Sequence, residues 1–381
     1  MRTWLGQRRV AVIPTVVEDP QFDPPPANFT DLVRARFFYD TDTPSGADRS
    51  LRRYIHETSY GRAQLLADVF DAVTVPFRPA DCGAMQDDAI RTLPAGHSYE
   101  YACVVFTGGA HGCRGWAFWD NPPFPGTTSL RNWCYVSMGE GLGVWAMELT
   151  HAICAFDDLY KTTDANPDRW DNMACSCGTH PSTFTKLKFG WLDPNDVRTM
   201  GGEETGTFTL HALGLLQPPP PGRAVALRIA SDVSQRYFLI EARLRVDTYE
   251  SVTTGVSAGI PGEGVVVYEI DESVWAPVHV RTPNALSVGQ TYTNPAEHLE
   301  VAVTSQVPGG FTVQVSSTEH PDCEQIRTAI DEANAEIAAL QEELSTAAPP
   351  EKPALVRQIR RTQATLRQHQ QRGTQLGCRL S

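Results

Sequence analysis

The sequence contains no run of about 20 apolar residues, the length a helix needs to cross a bilayer, so no membrane-spanning helix is expected. It is also short of basic charge, with 32 Lys and Arg against 45 Asp and Glu, a formal net charge of -13 and a pI near 5.2. Without a broad basic surface, nucleic acid and anionic membrane are excluded as main partners. The cysteines do not come in an even number: there are nine, so at least one thiol stays free or pairs with another chain. From about residue 319 onward aromatic residues are missing altogether, which points that segment toward helices with aliphatic stripes.

What is present is ordinary globular material, 41% hydrophobic and 20% charged over 381 residues. That length suggests two or three units, each burying its own apolar surface. The opening run VAVIPTVV is broken by Pro14 and followed by Glu18-Asp19 with no small-residue cleavage site. It is read as a first strand, not as an export signal. Residues 101–107 (YACVVFT) form a second buried strand, and the stretch between them reads as a helix, a break at Gly61, and a strand. These alternating elements give an α/β unit. Beyond Gly206 the texture becomes six short alternating strands separated by Pro and Gly turns, the pattern of an antiparallel sandwich. The last segment carries two helical stripes, Ile326-Ile330-Ala333-Ile337-Leu340-Leu344 and Leu355-Ile359-Thr362-Leu366, joined by AAPPEKP. One arm is acidic and the other basic, and a hairpin would bring Cys323 and Cys378 to its open end, where they either bridge or remain two surface thiols. The expected class is therefore α+β: an α/β unit over 1–204, an all-β sandwich-like unit over 205–318 and a helical hairpin over 319–381.

The chemistry sits on one segment. Leu142 to Ala155 is a mostly apolar helix that must be buried, and it reads Met147-Glu148-Leu149-Thr150-His151. In H-E-x-x-H the two histidines share a helical face and hold zinc while the Glu polarises the metal-bound water. Here all but the first His is in place.

The surroundings resemble the immune-inhibitor-A-like family of zinc metalloendopeptidases. That family extends its motif to H-E-x-x-H-x-x-G-x-x-D with Leu-Tyr close behind, then Trp-Asp-x-Met, then Lys-x-x-x-Gly-Trp. This sequence has Asp157-Asp158-Leu159-Tyr160, Trp170-Asp171-Asn172-Met173 and Lys186-Leu187-Lys188-Phe189-Gly190-Trp191, in that order. Further likenesses lie at Ser50 to Tyr54, Tyr237 to Arg243 and Gly262 to Asp271, so the similarity runs from about residue 8 to 316. The resemblance implies a zincin-like catalytic domain, with Glu148 as general base, His151 and Asp157 as metal ligands, and Met173 in the methionine turn beneath the metal. Asp158 competes with Asp157 if one residue has been inserted before Leu159-Tyr160. It also implies secretion.

Two departures stand out. Met147 occupies the first zinc-ligand position, and Cys154 occupies the position of the Gly at which the chain turns. A neutral thioether is a poor zinc donor, so zinc is expected to bind weakly or not at all unless His111, His180, Cys154 or the Cys175/Cys177 pair completes the site. Met, His and Cys together would suit Cu(I) better than zinc. The expectation is a peptidase fold that has lost or repurposed its catalysis and binds a protein or peptide in its cleft or at the hairpin. The alternative is an active metalloendopeptidase with a substitute ligand.

Overall fold

The computed structural model describes residues 1–18, 25–38, 50–79, 81–107, 112–160, 167–200, 204–231, 235–252, 257–317 and 322–376. The chain opens with β1 (Gly6–Glu18), α1 (Phe29–Phe38), α2 (Leu51–Thr58), β2 (Ala63–Val69), β3 (Val73–Pro76), α3 (Cys82–Ile90), β4 (Tyr101–Phe106), β5 (Gly115–Phe118), β6 (Asn132–Ser137) and α4 (Leu142–Cys154). The expected opening strand is thus the long β1. It pairs in parallel with β2 and then β3 along one side and with β4 along the other. The sheet continues β4–β6–β5, with β6 parallel and β5 antiparallel at the end of the strand order. Strand alternation sorts the side chains: Val10, Val12, Cys103 and Val105 join the core around α4, while Ala11, Ile13, Ala102 and Val104 join that of α3. Burial on both faces explains why β4 reads as a continuous apolar run.

Next come α5 (Asn172–Cys175), α6 (Thr183–Phe189), β7 (Val197–Met200), β8 (Thr205–His211), β9 (Arg223–Ala224), β10 (Ala226–Ala230), β11 (Arg236–Arg243), β12 (Gly264–Asp271), β13 (Val278–Val280), β14 (Thr291–Asn294), β15 (Leu299–Val307) and β16 (Gly310–Ser317). They build two five-stranded sheets, β13–β12–β11–β10–β7 and β14–β15–β16–β8–β9. One apolar layer, including Ile229, Phe238 and Val267 from the first sheet and Leu210, Val301 and Val313 from the second, lies between them. The first of these sheets is buried on its other face too. Leu239, Val266 and Tyr268 share a core with Trp145, Met147 and Trp170. Strand β7 lies before residue 204 yet pairs with β10, so the all-β part begins earlier than the composition change suggested.

Between those parts lies a buried ionic cluster. Arg243, Glu241 and Glu250 have no exposed side chain, and Arg243 reaches Glu241 at 2.9 Å and Glu250 at 2.7 Å. Its remaining N–H groups donate to the Trp170 and His180 carbonyls. Beside it, Lys186 of α6 is also fully buried, with Nζ 3.1 Å from His180 Nδ1 and 4.1 Å from the centre of the Tyr60 ring.

The chain ends in a helical pair, α7 (Cys323–Thr346) and α8 (Lys352–Leu376). The stripes expected from sequence are the ones that meet: Cys323, Ile326 and Ile330 with Leu366, and Leu340 with Leu355 and Ile359. Cys323 is buried, and Cys378, its expected partner, lies outside the described residues. Two disulfides that the sequence did not single out are Cys82–Cys113 and Cys175–Cys177, while Cys103, Cys134 and Cys154 are buried free thiols. The chain is therefore of mixed α+β architecture with a C-terminal helical pair.

Burial, reinforced by the charge of Arg243, pushes the Lys186 amine down to about 7, while Glu250, Glu241 and Asp247 pull the other way. An unfolded chain holds that proton up to about pH 10.4. Between these values the unfolded state binds more protons, so this lysine contributes an instability that grows as pH falls toward 7 and is constant below it. Urea denaturation of wild type and Lys186→Met should give a stability difference that shifts against the wild type from pH 10 to pH 7 and then levels off.

Candidate functional site

Helix α4 lacks a side-chain cap at its start but is held there by a close backbone fit. A Cβ at Gly143 would meet the Ser176 carbonyl oxygen and the Gly178 nitrogen at 2.2 Å, so only glycine lets the 175–178 loop nest on the helix. Asn172 fastens the same contact, its amide donating to the Gly143 carbonyl at 3.1 Å and its carbonyl accepting from Gly178 N–H at 2.8 Å. Met173 is buried in the core shared with α4.

Met147 faces this loop. It is 1% exposed, and its Sδ accepts the Ser176 hydroxyl at 3.0 Å. Ser176 lies between the bridged Cys175 and Cys177. One turn on, the His151 ring donates from Nδ1 to the Phe156 carbonyl, which leaves Nε2 facing Asp158 Oδ1 at 2.9 Å. The two form an ion pair once the ring is protonated. The Trp119 ring stacks on the imidazole with centroids 5.7 Å apart and planes 15° apart. Burial opposes charge on His151. Asp158, Glu148 and the Phe156 carbonyl outweigh it, and its pKa is raised above the ordinary imidazole value.

Glu148 lies beside the edge strand. A Cβ on Gly115 of β5 would stand 2.8 Å from Glu148 Oε1, so the missing side chain lets the strand pass over the carboxyl. Burial pushes the Glu148 acid up to about 7; the His151 charge opposes this and Asp158 adds to it. Near neutral pH it therefore exists in both protonation states, as an acid-base group requires.

The expected ligands are only partly brought together. His151 and Asp158 meet, whereas Asp157, the first choice from the resemblance, is exposed and its neighbour takes the place beside His151. The cause is the turn. Helix α4 runs through Cys154 and the left-handed residue is Ala155, at φ 51° and ψ 51°. The return from the helix sets Asp158, not Asp157, beside His151. The sequence signal for this was the Asp158 alternative, one residue before Leu159-Tyr160. Trp119, Gly115 and Ser176 gave none, because their roles depend on packing between distant segments.

Two of the proposed substitutes for the first ligand, His180 and the Cys175/Cys177 pair, are engaged elsewhere. His180 is buried against Asp247 at 2.7 Å, Cys175 and Cys177 are bonded to each other, Cys154 is a buried free thiol, and His111 lies outside the described residues. Among the described residues no three His, Cys, Asp or Glu side chains are grouped to hold a metal ion. Catalytic zinc needs three protein donors and a water. His151 and Asp158 are two such groups side by side, and the Met147 thioether one turn earlier accepts from Ser176. Among the described residues this set falls short of the three donors that a catalytic zinc takes.

No protein-family model matches the chain, and no curated protein matches it.

Two outcomes are expected here. Asp158→Asn should lower the His151 pKa followed by imidazole NMR, and Asp157→Asn should leave it in place. Ala155→Gly should raise unfolding stability by about 1 kcal/mol, because it removes a Cβ from a left-handed position.

Proposed function

We propose that this protein has a zincin-like scaffold whose peptidase chemistry is lost and whose cleft binds an extended peptide or protein segment. The observation that carries this reading is the state of Met147: buried, hydrogen-bonded by Ser176, and standing where the third metal donor would have to be. With two donors, zinc would not be held tightly enough to activate water, and Glu148 alone has no nucleophile to deprotonate.

Binding rests on β5. It is the last strand in its sheet, it runs antiparallel to β6, and it passes over Glu148 beside the His151–Trp119 stack. An extended peptide can add to such an edge through main-chain hydrogen bonds, with side chains selected by what flanks it. Trp116, 59% exposed on that strand, offers an aromatic surface of the kind enriched at binding sites.

Zinc analysis after incubation with the metal and desalting tests the reading. Wild type should retain far less than one zinc per chain, and Met147→His should retain more. One tightly held zinc in the wild type would overturn it. Unstructured peptides should quench tryptophan fluorescence without being cleaved.

A further inference from the structure

We infer that the outer faces of the helical pair form a self-complementary surface through which two copies of this chain associate, α7 of each lying against α8 of the other. Helix α8 carries Lys352, Arg357, Arg360, Arg361, Arg367 and Arg372 and no acidic residue. Helix α7 carries Glu324, Asp331, Glu332, Glu336, Glu342 and Glu343 and a single basic residue. Within one copy this opposition goes largely unused. Arg372 meets Asp322 at 3.5 Å, but Arg357, Arg360, Arg361 and Arg367 are exposed and form no ion pair among the described residues. The same is true of Asp331, Glu332, Glu336 and Glu342.

The spacing is that of a contact face. Each inner stripe is shadowed two residues later by an outer one with the same three- and four-residue steps. On α7 this second stripe is Thr328, Glu332, Ala335, Ala339, Glu342 and Thr346; on α8 it is Arg357, Arg361, Ala364 and Gln368. Most apolar residues of these helices larger than alanine fall on the inner side, Leu366 among them. The outer ridges combine small residues, which let helix backbones approach, with one sign of charge per helix. Two helices of 24 and 25 residues match in length, so an acidic ridge can meet a basic one end to end. Because α7 and α8 occur once each per copy, exchanging them between two copies satisfies both ridges and closes the assembly as a two-fold dimer. Charge, not apolar burial, supplies the recognition, as with the flanking charges that select partners in coiled coils.

Sedimentation of the full chain tests this. The expected result is a dimer of the 41.9 kDa chain at 0.1 M salt, where screening extends over about 10 Å, moving to monomer at 1 M, where it extends over about 3 Å. Replacing Arg357, Arg360 and Arg361 with Glu should give monomer at 0.1 M salt, as should replacing Glu332, Glu336 and Glu342 with Arg. Far-UV circular dichroism would show that each variant keeps its helices. Mixing the two variants should restore a 1:1 heterodimer, a rescue in trans that a role confined to one hairpin cannot give. A wild type that is monomeric at 0.1 M salt, or a dimer indifferent to both charge reversals, overturns the inference. Wild-type monomer that binds inorganic polyphosphate through α8 would likewise overturn it, in favour of a polyanionic partner.

Discussion

A guanidinium without exposed surface must have its N–H groups matched, and the groups that match those of Arg243 come from widely separated parts of the chain. Glu241 precedes it on β11, Glu250 follows in the next turn, and the two carbonyls belong to residues 170 and 180. The carboxylates then pass the constraint outward. Glu241 accepts the Thr183 N–H at the start of α6 and the Tyr268 hydroxyl of β12, and Glu250 accepts the His180 N–H. Removing one partner from such a buried set leaves a charge uncompensated, which costs about 3–5 kcal/mol in comparable cases. The cluster therefore acts less as a source of net stability than as a device that permits one arrangement of the segments around it.

The candidate site inherits that arrangement. Thr183 opens α6, and Phe184 and Phe189 of this helix pack against Phe156, whose carbonyl orients the His151 ring. Asp171 does the same on the other side, accepting Ser182 and Thr185 at the start of α6 and capping the short α5 that carries Met173. The imidazole and its neighbouring acid are thus held by α6 and the return from α4, while Met147 is held by the 175–178 loop.

Much of the architecture was legible in the residues. Val-rich runs gave β1 and β4, the change to alternating strands marked the two later sheets, and the stripes at Ile326 and Leu355 gave the helical pair. What failed to show was long-range. Strand β7 is short and polar enough to pass for loop, and its membership in a sheet is decided by pairing with β10. At the site, Glu148 and His151 followed from their spacing on one helix, but the precedence of Asp158 over Asp157 depended on a backbone turn. Similarly, no local pattern indicated that Ser176 would reach Met147, or that Gly115 would lie over Glu148.

The helical pair stands apart from this coherence. Its two apolar clusters draw only on residues from Cys323 onward, and neither includes a side chain of the three sheets. The segments of the three sheets are bound to one another through shared cores and buried charges, whereas this one brings its core with it. Among the described residues, side chains in these two clusters can therefore change together without repacking the cores of the sheets.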